Sequence, residues 1–159
     1  MQDSGGRRIK RTLRISLNSI RFVDQELREK MMQFDLLREY LTERQQEIQE
    51  YNKKKNVNTA VLINGRRLTN IGVFRIYIQK YLEQHPEIHQ EMLMSVRQMT
   101  SDEFGVPIEV YCFANTIRFV KYEEIQSDVF DHLFSAAAFF DLELFQRPTG
   151  KELMMINQK

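Results

Sequence analysis

The sequence predicts an α+β domain with a ferredoxin-like βαββαβ core, in which an antiparallel sheet carries helices on one face. Three observations predict this class. Residues 9–17 alternate apolar and polar side chains, which is typical of a strand buried on one side. Three later segments repeat apolar residues at helical spacing. Two apolar runs joined through Gly105 and Pro107 indicate a β-hairpin. Added to this core are an inserted strand and helix and one long protruding helix.

The first strand is predicted over residues 9–17. Arg11 falls on its buried face near the start of the strand, where the aliphatic stem can carry the charge outward. The apolar residues expected on the same face are Ile9, Leu13, Ile15 and Leu17.

A long helix is predicted to follow, with Asp24 as its N-cap and an end near Tyr51. This stretch contains no Gly or Pro. Beyond Leu41 it is mostly charged or Gln, so we expect that half to project from the core. The apolar stripe comprises Leu27, Met31, Phe34, Leu37 and Leu41.

The inserted piece is predicted as a short strand or hairpin over Val57–Leu68, turning at Asn64 and Gly65. A second helix then begins, which Thr69 or Asn70 can cap. Its buried positions are expected to be Ile71, Phe74, Ile78 and Leu82, with Pro86 ending it.

The hairpin is predicted from Met92–Met99 and Ile108–Ala114, and a third helix from about Tyr122 to Phe139. A last short strand is expected over Leu142–Phe145. The stripe of the third helix is Ile125, Val129, Leu133, Ala136 and Phe140.

The length of 159 residues suits one compact domain. We expect residues 1–8 to be a leader or the end of a preceding domain, residues 9–150 the α/β domain, and residues 151–159 a tail without a clear period. Strand-like sequence follows Met1 almost immediately, which is compatible with a segment of a longer chain.

The charge, the cysteine content and the length of the apolar runs indicate which kinds of protein this sequence can encode. Lys and Arg total 23 against 22 Asp and Glu, so the formal charge of +1 gives no global attraction to nucleic acid or anionic membranes. The single cysteine, Cys112, cannot form an internal disulfide and is predicted to be a buried thiol in a reducing compartment. No run approaches the ~20 apolar residues of a membrane-spanning helix, so the polypeptide as written is expected to be soluble and intracellular.

Candidate catalytic and metal-binding residues are few. His85 and His89 flank Glu87, but Pro86 interrupts a helical pair and no third ligand is evident, so surface polar residues are the better interpretation. His132 is interpreted as a hydrogen-bonded edge or interface histidine rather than a general base.

Other polar motifs also have simple interpretations. Glu123 and Glu124 are expected in the first turn of the third helix, where they suit its dipole. The basic run over residues 7–11 fits a solvated strand entrance, a phosphate contact or a link to another protein surface. Tyr111 and Phe113 could stack on bases, but the sequence lacks the Gly/aromatic pattern of RNA-recognition strands. We therefore predict no catalytic, cofactor-binding or metal residues, no cofactor, no nucleic-acid partner and no enzyme activity.

The chain has more aromatic residues than one buried stripe per helix requires, with 11 Phe and 6 Tyr. Such a surplus suggests burial against another subunit, and packing in the domain's own core is the alternative for many of these residues. The residues concerned are Tyr77, Tyr81, Tyr122, Phe130, Phe134 and Phe139.

Five stretches of the sequence are long or specific enough to compare with known families: RRIKRTLRISLNSIRF, LREYLTERQQEIQEYN, INGRRLTNIGVFRIYIQKYLEQHP, GVPIEVYCFANTIRFVKYEEIQSDVFDHLF and QRPTG. They resemble the cytoplasmic region of small-conductance mechanosensitive channels. The segment RRLTNIG makes the miniconductance subgroup the most similar, and the resemblance covers nearly all of residues 7–150.

This resemblance implies a channel function for the full-length protein. Such channels are homoheptamers of bacterial inner membranes that open under bilayer tension and release ions and osmolytes during hypo-osmotic shock. The α/β domain forms the lower wall of a cytoplasmic vestibule, so the implied partners are other copies of the subunit and the permeating solutes, with membrane contact only through upstream segments. The family's transmembrane helices and most of its preceding β domain are absent from this chain, and residues 151–159 lack the alternation of a terminal barrel strand.

Two other functions are compatible with the sequence. The first is a stand-alone ferredoxin-like regulatory module that binds a small ligand and dimerises through its sheet. The second is an enzyme of unknown type, which a pocket with convergent polar groups and perturbed carboxylates would favour.

Overall fold

The computed structural model describes residues 5–157, which form an α+β fold with a three-stranded antiparallel sheet and five α-helices. Short 3₁₀ turns cover Leu17–Ser19 and Ala137–Phe140. None of the helices in this range combines the length and apolarity needed to cross a membrane. The regular elements are β1 (Arg7–Ile15), α1 (Gln25–Met31), α2 (Arg38–Lys54), α3 (Asn70–Gln84), β2 (Ser95–Gln98), β3 (Val106–Ala114), α4 (Phe119–Ala136) and α5 (Gly150–Asn157).

The sheet has the order β1-β3-β2, with β3 in the centre. The predicted hairpin is confirmed, because β2 pairs antiparallel with β3. On the helix-facing side Ile9 lies opposite Cys112 and Leu13 opposite Ile108, and all four side chains are buried. The alternation in the first strand therefore correctly predicted the buried face.

The end of the first strand differs from the prediction. β1 ends at Ile15, and Leu17 lies in a 3₁₀ turn with 56% of its surface exposed. The chain turns there because the Ser16 amide donates to the Glu143 carbonyl at 2.8 Å instead of continuing along β3. Leu17 is thus not part of the buried stripe.

The predicted strand over Leu142–Phe145 is reduced to one antiparallel bridge between Ile15 and Leu144. The Phe145 amide donates to the Arg14 carbonyl at 2.8 Å. This bridge lies beside β1, where a ferredoxin-like fold places its fourth strand. Pro148 follows closely and lacks an amide for further pairing.

The predicted long helix is two helices. Asp24 caps α1 as predicted, accepting a hydrogen bond from the Leu27 amide at 2.8 Å. The chain leaves the helix after Met31, and the Phe34 ring packs edge-on against Phe140 at 5.4 Å between ring centroids. This long-range contact lies at the break, where Arg38 also donates to the Met32 carbonyl at 3.2 Å, in a stretch that contains no Gly or Pro.

Past Leu41, the buried positions of α2 are reduced to Asn52, as expected for a helix that projects from the core. The Asn52 amide forms two hydrogen bonds with the backbone of Arg66, at 2.9 Å and 2.8 Å. Residues 57–68 are not the predicted strand but a series of turns held by these bonds. Gly65 has a φ of +67°, and an added Cβ would lie 2.4 Å from the Asn52 oxygen.

The helix α3 is confirmed, with the Thr69 hydroxyl accepting from the Gly72 amide at 3.1 Å. It packs against β2, while α4 packs against β1 and β3. α3 is therefore a core helix, and the additions to the core are α1, α2 and the turns over residues 57–68. The prediction had assigned the long first helix to the core and α3 to the insertion.

Asn70 lies fully buried at the start of α3. Its side-chain oxygen accepts from the amides of Arg21 and Ile71, both at 2.9 Å. Its nitrogen donates to the carbonyls of Ser19 at 2.9 Å and Phe140 at 3.0 Å. One side chain thus joins the segment after β1, the start of α3 and the end of the 3₁₀ turn after α4.

The helix α5 was not predicted, because residues 151–159 show no clear period. Four of its apolar side chains are exposed, which explains the missing signal: the helix has no buried stripe. These are Leu153, Met154, Met155 and Ile156. Residues 158 and 159 of the predicted tail lie outside the described range.

Candidate assembly surface

The surplus aromatic residues divide into three groups. Phe130 is 1% exposed and belongs to the core, so the core and not a subunit contact accounts for this residue. α4 buries this ring because it packs on the sheet, where the Arg11 guanidinium covers the ring at 4.2 Å. Phe134 and Phe139 remain 40% and 57% exposed.

Tyr77, Tyr81 and Tyr122 are half-buried against the core of their own chain. The Tyr122 hydroxyl also donates to the Arg8 carbonyl. These three tyrosines therefore have partners within the domain, and of the six surplus aromatic residues Phe134 and Phe139 are the exposed ones.

An apolar groove opens beside Phe139, between the turn after α1, α3 and the end of α4. Its volume is about 400 Å³. The Phe139 ring forms one wall and meets Phe34 edge-on at 6.2 Å. We call this the Phe139 groove; its lining is Phe34, Asp35, Leu36, Tyr77, His132, Ser135, Ala136, Phe139 and Phe140.

One rim of the groove is an aromatic stack that joins α3 to α4. The rings of Tyr81 and His132 are parallel, with centroids 4.0 Å apart. The Tyr77 hydroxyl lies 2.6 Å from His132 Nε2. His132 is therefore hydrogen-bonded at the edge of the helix, as predicted.

The protonation of the stack follows from this packing. Burial, and then the nearby charge of His85, lower the pKa of His132 below its ordinary value of 6.5. A neutral imidazole can accept a hydrogen bond from the Tyr77 hydroxyl at Nε2. Burial also raises the pKa of Tyr77, which keeps that hydroxyl a donor. The rim is thus uncharged at neutral pH and suits an apolar contact.

A second apolar patch, which the sequence analysis missed, lies at the start of α4. Phe119 and Val120 are 60% and 77% exposed, and Ile117 lies beside them in sequence. The prediction began this helix at Tyr122, three residues late, so these side chains were not placed on it. A run of apolar residues outside the Ile125 and Val129 stripe was the available signal.

The basic run contacts its own domain. The Arg7 guanidinium lies over the Tyr122 ring at 4.6 Å, and the Arg11 guanidinium lies over the Phe130 ring at 4.2 Å. Both contacts are typical of a solvated strand whose cations pack on nearby side chains. On the opposite sheet face Phe113 is buried, so its ring is not available for stacking on a base.

His85, His89 and Glu87, the candidate metal ligands, each contact a different partner. The ring Nδ1 atoms of His85 and His89 accept from the backbone amides of Glu87 and Glu91, at 3.1 Å and 3.2 Å. The Glu87 carboxylate pairs with Lys121 at 2.9 Å. Over the described range, no three His, Cys, Asp or Glu side chains are grouped as a metal site would need.

The remaining candidates have structural surroundings. Cys112 is fully buried, as predicted, and burial raises the pKa of its thiol to about 12. Glu123 and Glu124 lie in the second turn of α4, because the helix begins at Phe119. Their predicted place in the first turn is therefore wrong, and Glu124 instead approaches Lys121 at 3.9 Å.

A comparison with protein families matches one segment of the chain. Residues 73–143 match the family model for the C-terminal domain of the mechanosensitive ion channel MscS. The matched segment runs from α3 through the hairpin and α4 to the bridge beside β1, and so includes most of the Phe139 groove. The match covers 71 of the 159 residues and supports a relationship to the mechanosensitive channel MscS family over that segment.

Proposed function

We propose, from the match of residues 73–143 to the C-terminal domain of the mechanosensitive channel MscS, that this chain forms part of the wall of a channel's cytoplasmic vestibule. In this proposal residues 9–150 are the vestibule domain. The pore is formed by segments not contained in this chain. The complete channel releases ions and osmolytes when hypo-osmotic shock stretches the membrane.

The finer features of the proposal follow the sequence resemblance. The RRLTNIG segment favours the miniconductance subgroup, the family architecture favours a homoheptamer, and both favour a bacterial inner membrane. RRLTNIG spans the last turn of the insertion and the start of α3, where Arg66 is fixed by Asn52 and Thr69 caps the helix. These contacts give the segment a structural role within the domain.

The Phe139 groove is the surface on which we place contact with a neighbouring copy. It combines an apolar floor, the uncharged aromatic stack on one rim and the exposed Phe139 ring, with Asp35 as the one carboxylate of its lining. Buried aromatic anchors of this kind dominate the binding energy of protein interfaces. The exposed apolar residues of α5 provide further surface of the same chemistry.

Replacing Phe139 by Glu is expected to weaken self-association by about tenfold or more, because the carboxylate would lose its hydration in an apolar contact. Sedimentation of the 159-residue chain over a range of concentrations measures the effect. As a control, Glu in place of Ile63, an exposed apolar residue in the turns over 57–68, should leave association unchanged. A wild-type chain that stays monomeric at all concentrations, or equal effects of the two changes, would contradict the assigned surface.

The channel function is tested with the complete gene. We expect its reading frame to encode apolar spans of ~20 residues upstream of this segment. Expressed in a bacterial strain without its own mechanosensitive channels, the gene should raise survival after hypo-osmotic shock and give suction-activated currents in membrane patches. The same gene with its upstream spans deleted is the control. Absence of suction-activated current from correctly inserted protein would refute the proposal.

A further inference from the structure

A second cavity lies between α1, α2 and the turns over residues 57–68. It has a volume of about 560 Å³, within the range of small-molecule sites. None of its residues belongs to the segment that matches the channel family. We call it the basic pocket; its lining is Val23, Asp24, Gln25, Arg28, Gln45, Ile48, Gln49, Asn52, Lys53, Asn56, Val57, Thr59, Arg66, Arg67 and Leu68.

The lining is strongly basic in a chain that is nearly neutral overall. Four cations face one carboxylate, Asp24, which leaves the lining with a formal charge of +3. The cations are Arg28, Lys53, Arg66 and Arg67.

The single carboxylate is already engaged. One oxygen of Asp24 caps α1 through the Leu27 amide, and the other accepts from Arg21 at 3.1 Å. Both contacts lower the pKa of Asp24, the amide bond more strongly, so it stays ionised without neutralising the pocket cations. Within residues 5–157, Arg28 and Lys53 have no ion-pair partner.

The guanidinium of Arg67 and the backbone of Arg66 are held in place before any ligand arrives. Arg67 donates from Nε to the Leu62 carbonyl at 3.1 Å and from Nη2 to the Thr59 carbonyl at 2.7 Å. These bonds orient the guanidinium and leave the Nη1 group free of a hydrogen bond among the described residues. For Arg66 it is the backbone that Asn52 fixes, while its guanidinium lies over the Tyr51 ring at 5.3 Å and has no ion-pair partner within residues 5–157. Preorganised donors of this kind bind an anion with less loss of side-chain entropy.

The rest of the lining suits an organic group attached to the anion. Side-chain amides supply donors and acceptors for hydroxyl groups, and four apolar residues supply a surface for a ring or carbon chain. The amides are Gln25, Gln45, Gln49 and Asn56; the apolar residues are Val23, Ile48, Val57 and Leu68.

We propose that the basic pocket binds a small phosphomonoester, an organic molecule with one terminal phosphate. Three arginines offer the planar, multi-donor geometry that matches phosphate oxygens, and the excess positive charge matches a phosphate dianion better than a single carboxylate. The site is built from the insertion and not from the channel-matching segment. It therefore stands independently of the channel assignment and would allow a metabolite to bind to the domain.

Calorimetry of the 159-residue chain with ribose 5-phosphate and with AMP tests the site. At least one of the two is expected to bind and to raise Tm. The double variant Arg28→Ala, Arg66→Ala should bind it about tenfold more weakly or worse, since two charge-assisted contacts are lost. The control variant Arg8→Ala, Arg44→Ala removes the same charge away from the pocket and should bind like the wild type.

Three results would overturn the proposal. The first is no binding of either compound at concentrations of about 5 mM, where a weak metabolite site would be filled. The second is equal weakening in the pocket and control variants, which would indicate a diffuse charge effect. The third is equally strong binding of inorganic phosphate or of adenosine, which would show that the pocket does not read both parts of a phosphomonoester. A pocket variant that fails to melt cooperatively is replaced by Arg28→Gln alone, with the same criteria.

Discussion

Replacing Leu133 by Asp is expected to unfold the domain. Leu133 is fully buried in α4, the helix that packs against β1 and β3. A carboxylate there would lose its hydration without gaining a partner, at a cost of several kcal/mol. That cost is comparable with the total stability of a domain, about 5–15 kcal/mol.

Circular dichroism and urea denaturation measure this effect. The matched control is Asp in place of Ala138, which is exposed in the following 3₁₀ turn and should change stability little. Soluble Leu133→Asp protein that melts cooperatively near the wild-type temperature would show that α4 does not bury this face.

Replacing Asn70 by Ala is expected to lower the free energy of unfolding by about 3–5 kcal/mol. The change removes four hydrogen bonds at a fully buried position and leaves two amides and two carbonyls without their partner. Asp at the same position would keep the acceptors but lose the donor and bury a charge, so it should also be destabilising.

Urea titration of Asn70→Ala beside Asn18→Ala gives the comparison, since Asn18 is exposed in the 3₁₀ turn after β1. A loss below about 1 kcal/mol for Asn70→Ala would mean that water replaces the amide. The three segments would then not depend on this side chain.

The elements that the sequence predicted well have a single buried face. β1, α3 and α4 each contact the core on one side, so their apolar residues recur with a clean period. The break between α1 and α2 has no such signal. It arises from the contact of Phe34 with Phe140, about a hundred residues away, and the intervening sequence would be equally compatible with a continuous helix.

The turns over residues 57–68 show a second limit of pattern reading. Val61, Leu62 and Ile63 form an apolar run that predicts a strand, but all three are exposed. The segment is instead held by polar contacts of Asn52 and Arg67 with backbone groups. Such contacts satisfy the hydrogen-bonding groups of the backbone without pairing to a neighbouring strand. The periodicity of apolar residues gives no indication of them.

The candidate sites were predictable to different degrees. The aromatic surplus correctly indicated exposed apolar surface at Phe134 and Phe139, but not which ring would be absorbed by the core. The basic pocket left no pattern in the sequence, because its cations come from α1, α2 and the turns that follow. Only the fold brings Arg28 and Arg66 to one cavity.

The single bridge beside β1 has a consequence for solubility. Most of the outer side of this strand is a sheet edge within the described chain, since pairing there is confined to the region of Ile15. Open edges invite intermolecular β-pairing and aggregation. Five of the nine β1 residues are Lys or Arg, so two such edges approaching each other would repel. The charge that resembles a binding motif thus keeps crowded copies of the domain from joining strand to strand, and leaves other surfaces to determine how they assemble.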